Sequence, residues 1–214
     1  MKIITKEIKI YNFRELPEKI KNKVIEDWRN TEDYSFFLED DEKDLRRNLE
    51  TDYFLTDVKI YYDLSRCQGS GACFDFNVSG CTAMNFLLRV LTHYGKKDEY
   101  FPKLFKLYES GLLELSFKTV TNSYADHYCH KYTRNIDMVI YTYFEDDTSV
   151  KVHNTEALCF SAKKIIENWY LEQCDILHSG LESSYIYYQS DECIEEIILA
   201  NDYEFLEDGT IYSE

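Results

Sequence analysis

Residues 57–79 read Asp57-Val58-Lys59-Ile60-Tyr61-Tyr62-Asp63-Leu64-Ser65-Arg66-Cys67-Gln68-Gly69-Ser70-Gly71-Ala72-Cys73-Phe74-Asp75-Phe76-Asn77-Val78-Ser79. Val58, Ile60, Tyr62 and Leu64 fall on alternate positions, and Ala72, Phe74, Phe76 and Val78 repeat the pattern. A period of two with one apolar face predicts two half-buried strands, 57–65 and 72–79. The stretch between them holds two glycines free to take positive φ, so the strands are expected to pair as an antiparallel hairpin.

Helical spacing flanks this hairpin on both sides. Upstream, Leu16, Ile20, Val24 and Trp28 predict an amphipathic helix over 17–30, with Pro17 suited to its first turn. A second helix over 35–51 turns Leu38, Leu45 and Leu49 inward, and Ile4, Ile8 and Ile10 predict an opening strand through Tyr11. Downstream, helices are expected over 82–94 and 98–109, stopped near Gly95 and Gly111, with Pro102 in the first turns of the second. Strand-like stretches follow at 112–121, 124–132 and 136–144. A long helix over 155–189, capped by Asn154 or Thr155, has Gly180 as its weak point. Ser190 is placed to cap a last helix, and a terminal hairpin turns at Asp208-Gly209. This order predicts an α+β fold, a largely antiparallel sheet packed with several helices. The pattern reads as one domain over 1–214 with an acidic C-terminal helix and hairpin at 190–214.

Composition bounds the function. The 214 residues are 44% hydrophobic and 16% aromatic, enough for a core. No apolar run approaches the roughly 20 residues of a membrane span, and the opening Met1-Lys2-Ile3-Ile4-Thr5-Lys6-Glu7 does not read as a signal peptide. A cytoplasmic protein is expected. The formal net charge of -16 is concentrated. Residues 32–57 hold ten acids and three bases, and residues 191–214 hold nine acids and no base. The rest of the chain is neutral. Such a chain is repelled by nucleic-acid phosphates and suited to a basic partner. The seven cysteines are odd in number and lack Cys-x-x-Cys spacing, so they read as reduced thiols that mostly fill the core.

Two stretches could carry chemistry. In Gln68-Gly69-Ser70-Gly71, glycines around a serine allow backbone N–H groups to converge on an anion or oxyanion, although the Lys-Ser/Thr of a phosphate-binding P-loop is missing. The plain alternative is a hairpin turn. In His127-Tyr128-Cys129-His130, a strand would send His127 and Cys129 to one face and His130 to the other, so no zinc site is expected. Cys73 and His130 on one sheet could form a thiol–imidazole pair for hydrolysis. A small nucleotide-binding module would use the same loop and an aromatic such as Tyr128 or Phe74 for stacking. No cofactor is called for. The 19 tyrosines suit an interface or reflect compositional habit.

Four stretches carry a family resemblance. Phe13-Arg14-Glu15-Leu16-Pro17-Glu18-Lys19-Ile20-Lys21-Asn22-Lys23-Val24 matches an opening helix, and Gln68-Gly69-Ser70-Gly71-Ala72-Cys73-Phe74 matches a Gln-Gly-x-Gly-Ala-Cys-Phe signature. His127-Tyr128-Cys129-His130-Lys131-Tyr132-Thr133 aligns with an aromatic–His strand, and Ser190 through Gly209 with an acidic tail. The chain thus resembles a family of uncharacterised phage and prophage proteins, some labelled antitoxin-like. Ser70 stands where many members carry Asp, so a metal or acid role of that Asp does not carry over. The resemblance implies a phage-borne, cytoplasmic protein and supplies no reaction.

With the acidity, this gives the functional expectation: an anti-defence inhibitor that occupies a basic surface of a host protein such as a CRISPR or restriction effector. It is expected to touch neither nucleic acid nor membrane. Glu32, Asp33, Glu39, Asp40, Asp41 and Glu42, with Glu195, Glu196, Glu204, Glu207 and Asp208, are the expected docking residues. The Cys–His hydrolase and the nucleotide-binding module are the alternatives.

Overall fold

A computed structural model describes residues 7–65, 69–122, 128–142 and 149–213. A short strand β1 (Tyr11–Asn12) and a 3-10 turn lead into helices α1 (Glu18–Thr31) and α2 (Ser35–Tyr53). Strands β2 (Thr56–Asp63) and β3 (Gly71–Ser79) follow, then helices α3 (Gly80–His93) and α4 (Lys97–Glu109). Strands β4 (Leu113–Thr121) and β5 (Arg134–Thr142) precede the long helix α5 (Ser149–Tyr188). Helix α6 (Asp191–Ala200) and strand β6 (Glu204–Phe205) come last. The fold is α+β, with an antiparallel four-stranded sheet in the order β2-β3-β4-β5 and a two-stranded sheet β1-β6. The chain divides into two compact units: Asp40–Glu182, and Met1–Glu39 together with Ser183–Glu214.

The larger unit is built on the predicted hairpin. Tyr61 pairs with Cys73 and Asp63 with Gly71 across β2 and β3. Ala72, Phe74, Phe76 and Val78 are all buried, as their alternation requires. Their face packs against Phe86 of α3 and Trp169 and Tyr170 of α5. Trp169 is the hub, with ring centroids 4.7 Å from Tyr53, 5.1 Å from Phe86 and 6.1 Å from both Phe74 and Phe76. Burying each such side chain contributes about 1.5–3 kcal/mol.

Strand β3 does not follow β4 for its whole length. The two pair only over Asn77–Ser79 with Ser116–Lys118. Toward its start β3 stays paired with β2 but parts from β4, and the backbone groups on its β4 side must find other partners. Side chains supply them. The Tyr170 hydroxyl donates to the Phe74 carbonyl at 3.0 Å and accepts from the Phe74 N–H at 3.3 Å. Thr119 Oγ1 accepts from the Phe76 N–H at 3.0 Å. Arg134 Nε donates to Asp75 Oδ1 at 2.8 Å, and Thr119 Oγ1 reaches the same oxygen at 3.2 Å.

In the smaller unit, β1 and β6 pair through Tyr11 with Phe205 and Asn12 with Glu204. Phe13, Leu16, Val24 and Ile25 share one core with Ile194, Ile198 and Phe205. Ser190 caps α6 as expected, its Oγ accepting from the Cys193 N–H at 3.2 Å. Arg29 ties the same helix start down, donating to the Gln189 carbonyl at 2.9 Å and pairing with Asp191.

Three element expectations need correction. The stretch 128–130 is irregular and Lys131–Thr133 is a 3-10 turn, where a strand over 124–132 was expected. Residues 123–127 lie outside the described residues. The reason is local hydrogen bonding: the Thr133 N–H donates to the His130 carbonyl at 2.8 Å, and Asn122 bonds both Thr133 and Tyr132. Helix α5 begins at Ser149, upstream of Asn154 and Thr155, and passes Gly180 unbroken. Apolar periodicity marks a helix only where its apolar stripe runs, and that stripe begins in the sequence at Leu158. Ile8 and Ile10 are exposed and outside any strand, because β6 offers a partner only two residues long.

Candidate functional site

The loop before β3 keeps the two expected glycines, and both are needed. Gly69 has φ +106°, and a Cβ there would lie 2.5 Å from Cδ1 of the Tyr128 ring. A Cβ on Gly71 would meet the Cys129 carbonyl oxygen at 3.2 Å and His130 at 3.4 Å. The loop backbone therefore lies directly against residues 128–130. Gln68, Cys67 and His127 lie outside the described residues.

Beside this loop is a recess of about 230 Å³ lined by Ser70, Gly71, His130, Lys131, Asp175 and His178. Lys131 Nζ pairs with both carboxylate oxygens of Asp175, at 2.7 and 2.6 Å. The Tyr132 N–H approaches His130 Nδ1 at 3.4 Å. The Ser70 Oγ is buried and has no hydrogen-bond partner among the described residues. Ser70 and His130 were expected at a site. Lys131, Asp175 and His178 were not singled out, though Asp175 and His178 stand three apart on one helix, a spacing that puts side chains on one face.

Cys73 is fully buried. Its Sγ accepts from Thr133 Oγ1 at 3.5 Å, and Thr133 in turn receives a bond from Arg134. The structure thus gives the Cys73 thiol Thr133 as a hydrogen-bond partner. Burial pushes the Cys73 thiol above its ordinary value. The same cause pushes Cys174 up to about 12. These are the surroundings of inert core thiols. Among the described cysteines, alkylation of the native protein at mildly alkaline pH should therefore mark the exposed Cys81 first, with Cys73, Cys159 and Cys174 reacting only on unfolding. Peptide mass spectrometry reads this, and native labelling of Cys73 at the rate of Cys81 would return it to candidacy as a nucleophile. Among the described residues, no group of three His, Cys, Asp or Glu is placed to hold a metal ion.

The acids expected to dock a partner differ in what they already do. Asp33 accepts from the Ser35 N–H at 3.0 Å, and hydrogen bonds from Ser35 hold its carboxyl below the usual range. Asp208 does the same for Thr210. Asp40 pairs with Lys43 at 3.1 Å, and Asp41 and Glu42 are half-buried. Glu32 and Glu39 are exposed. On α6, Glu195 and Glu196 are exposed while Cys193, Ile194 and Ile198 are buried, and Glu204 and Glu207 beyond it are exposed too.

No helix among the described residues is long and apolar enough to cross a membrane. No curated protein and no solved structure matches the chain. Residues 30–191 do match a family described as a domain of unknown function, DUF8835, and cover the sheet, the recess and the aromatic hub. On that match the protein belongs to the DUF8835 family.

Proposed function

We propose that the protein is a phage-borne, cytoplasmic binding protein that blocks a basic surface of a host nucleic-acid-handling protein, such as a CRISPR or restriction effector. The observation that supports this reading is the acidic face of α6 and the segment after it. Residues 191–214 carry nine acids and no base, and Glu195, Glu196, Glu204 and Glu207 stand in solvent. An effector's nucleic-acid channel is basic, and a dense row of carboxylates competes for it in charge and in bulk. Glu32 and Glu39 add further exposed carboxylates, Asp33 and Asp208 contribute charge while holding turns, Asp40 does so while paired with Lys43, and Asp41 and Glu42 add charge beside them. The phage origin and the kind of target come from the family resemblance in the sequence.

The test is capture of partners from host lysate at low and at raised salt. A tail variant carries Gln at Glu195, Glu196, Glu204 and Glu207 and Asn at Asp208. Exposed charges are screened over about 8–10 Å at ordinary salt, so capture should fall as salt rises. Neutralising the tail should slow association by about tenfold or more while leaving the unfolding midpoint nearly unchanged. Capture that ignores both salt and charge removal would count against an acidic docking face and for a tyrosine-driven interface.

A further inference from the structure

We propose that the recess beside the β2–β3 loop binds a small phosphate group, free or as a simple ester, through Ser70, Lys131, His130 and His178. This site is separate from the acidic tail and does not depend on the docking reading.

The first support is the Ser70 hydroxyl. It lines the recess, is buried, and finds no partner among the described residues. A buried polar group left in that state is destabilising, and a ligand oxygen would remove the cost. The second is the set of donors around it. An ammonium carries three N–H groups, and Asp175 holds Lys131 in place without using all of them. His130 presents Nδ1 to the Tyr132 N–H, so its Nε2 carries the proton and is left to donate. His178 adds a second imidazole from α5. The third is the close packing at Gly71, where backbone and His130 lie too near for a larger residue and bring Ser70 and His130 to one recess.

Four donor groups of three kinds suit a tetrahedral oxyanion better than a planar carboxylate with two oxygens. Asp175 also borders the recess and opposes a fully ionised dianion. A phosphate that keeps one proton can donate that proton to Asp175 instead. Cys174 borders the recess as well, but its thiol stays protonated and adds no charge. The volume of about 230 Å³ falls below the roughly 300–1,000 Å³ of drug-sized pockets. A phosphate with a small substituent fits; a dinucleotide does not.

Calorimetry and thermal unfolding of the full chain with inorganic phosphate and with glycerol phosphate test this, with acetate as the planar control. Both phosphates should bind and raise the unfolding midpoint, and the tighter of the two tells whether the free anion or an ester is held. Ser70→Ala and Lys131→Gln should each weaken binding by about ten- to a hundredfold, the loss expected for one hydrogen bond to a charged group. Ser70→Ala removes a buried orphan and should fold at least as well as the parent, so loss of binding there reports the site. The proposal fails if neither phosphate binds, if acetate binds equally well, or if both variants bind phosphate as tightly as the parent.

Discussion

Tyr170→Phe should lower the unfolding free energy by about 2–4 kcal/mol, although it deletes a single oxygen. On the side where β3 has left β4, the hydroxyl takes both the Phe74 N–H and the Phe74 carbonyl. Tyr170 is 2% exposed, so water cannot easily replace it. Both backbone groups would then be buried without partners, at about 1–3 kcal/mol each. Urea unfolding followed by circular dichroism measures the loss. A change below about half a kcal/mol would mean that β3 re-pairs with β4 when the hydroxyl is gone, and that the parting of the strands is optional.

The largest single loss should come from Trp169→Ala, about 3–5 kcal/mol or more, because the ring is fully buried among Tyr53, Phe74, Phe76 and Phe86. Against a typical total of about 5–15 kcal/mol, that takes a large share of the fold's stability. Trp169→Phe should cost much less. It leaves an aromatic in the hub and removes an indole N–H that is buried without a partner. The ratio between the two variants is the informative quantity. Equal losses would show that a phenyl ring does not fill the hub and that the shape of the indole itself is required at this position.

The hairpin was legible because both strands carry a clean period of two and the joining loop holds Gly69 and Gly71. The helices were legible for a similar reason, and Ser190 marked its helix start with one hydroxyl. What the sequence could not show was anything decided by distant residues. Nothing near Phe74 announces that a tyrosine 96 positions later will satisfy its backbone. Nothing near Phe13 announces a shared core with Ile194 and Ile198. The same holds at the recess. Ser70 and His130 stood out by their neighbours, but Asp175 and His178 sit on a helix read only for its apolar stripe. Cys73 and His130 suggested a pair on one sheet, but nothing in the sequence announced that the 3-10 turn at Lys131–Thr133 brings Thr133 to the thiol.

The pairing of β1 with β6 sets an order of events during synthesis. Phe13, Leu16 and Val24 are synthesised about 170–190 residues before their apolar partners Ile194, Ile198 and Phe205. At about 5–20 residues per second, the wait lasts on the order of 10–40 s. Through that interval the early segment must stay in solution with its apolar residues uncovered, and its many Lys and Glu neighbours help to keep it there. Premature termination before Ile194 would strand it permanently, leaving an exposed apolar helix of the kind that chaperones and proteases recognise.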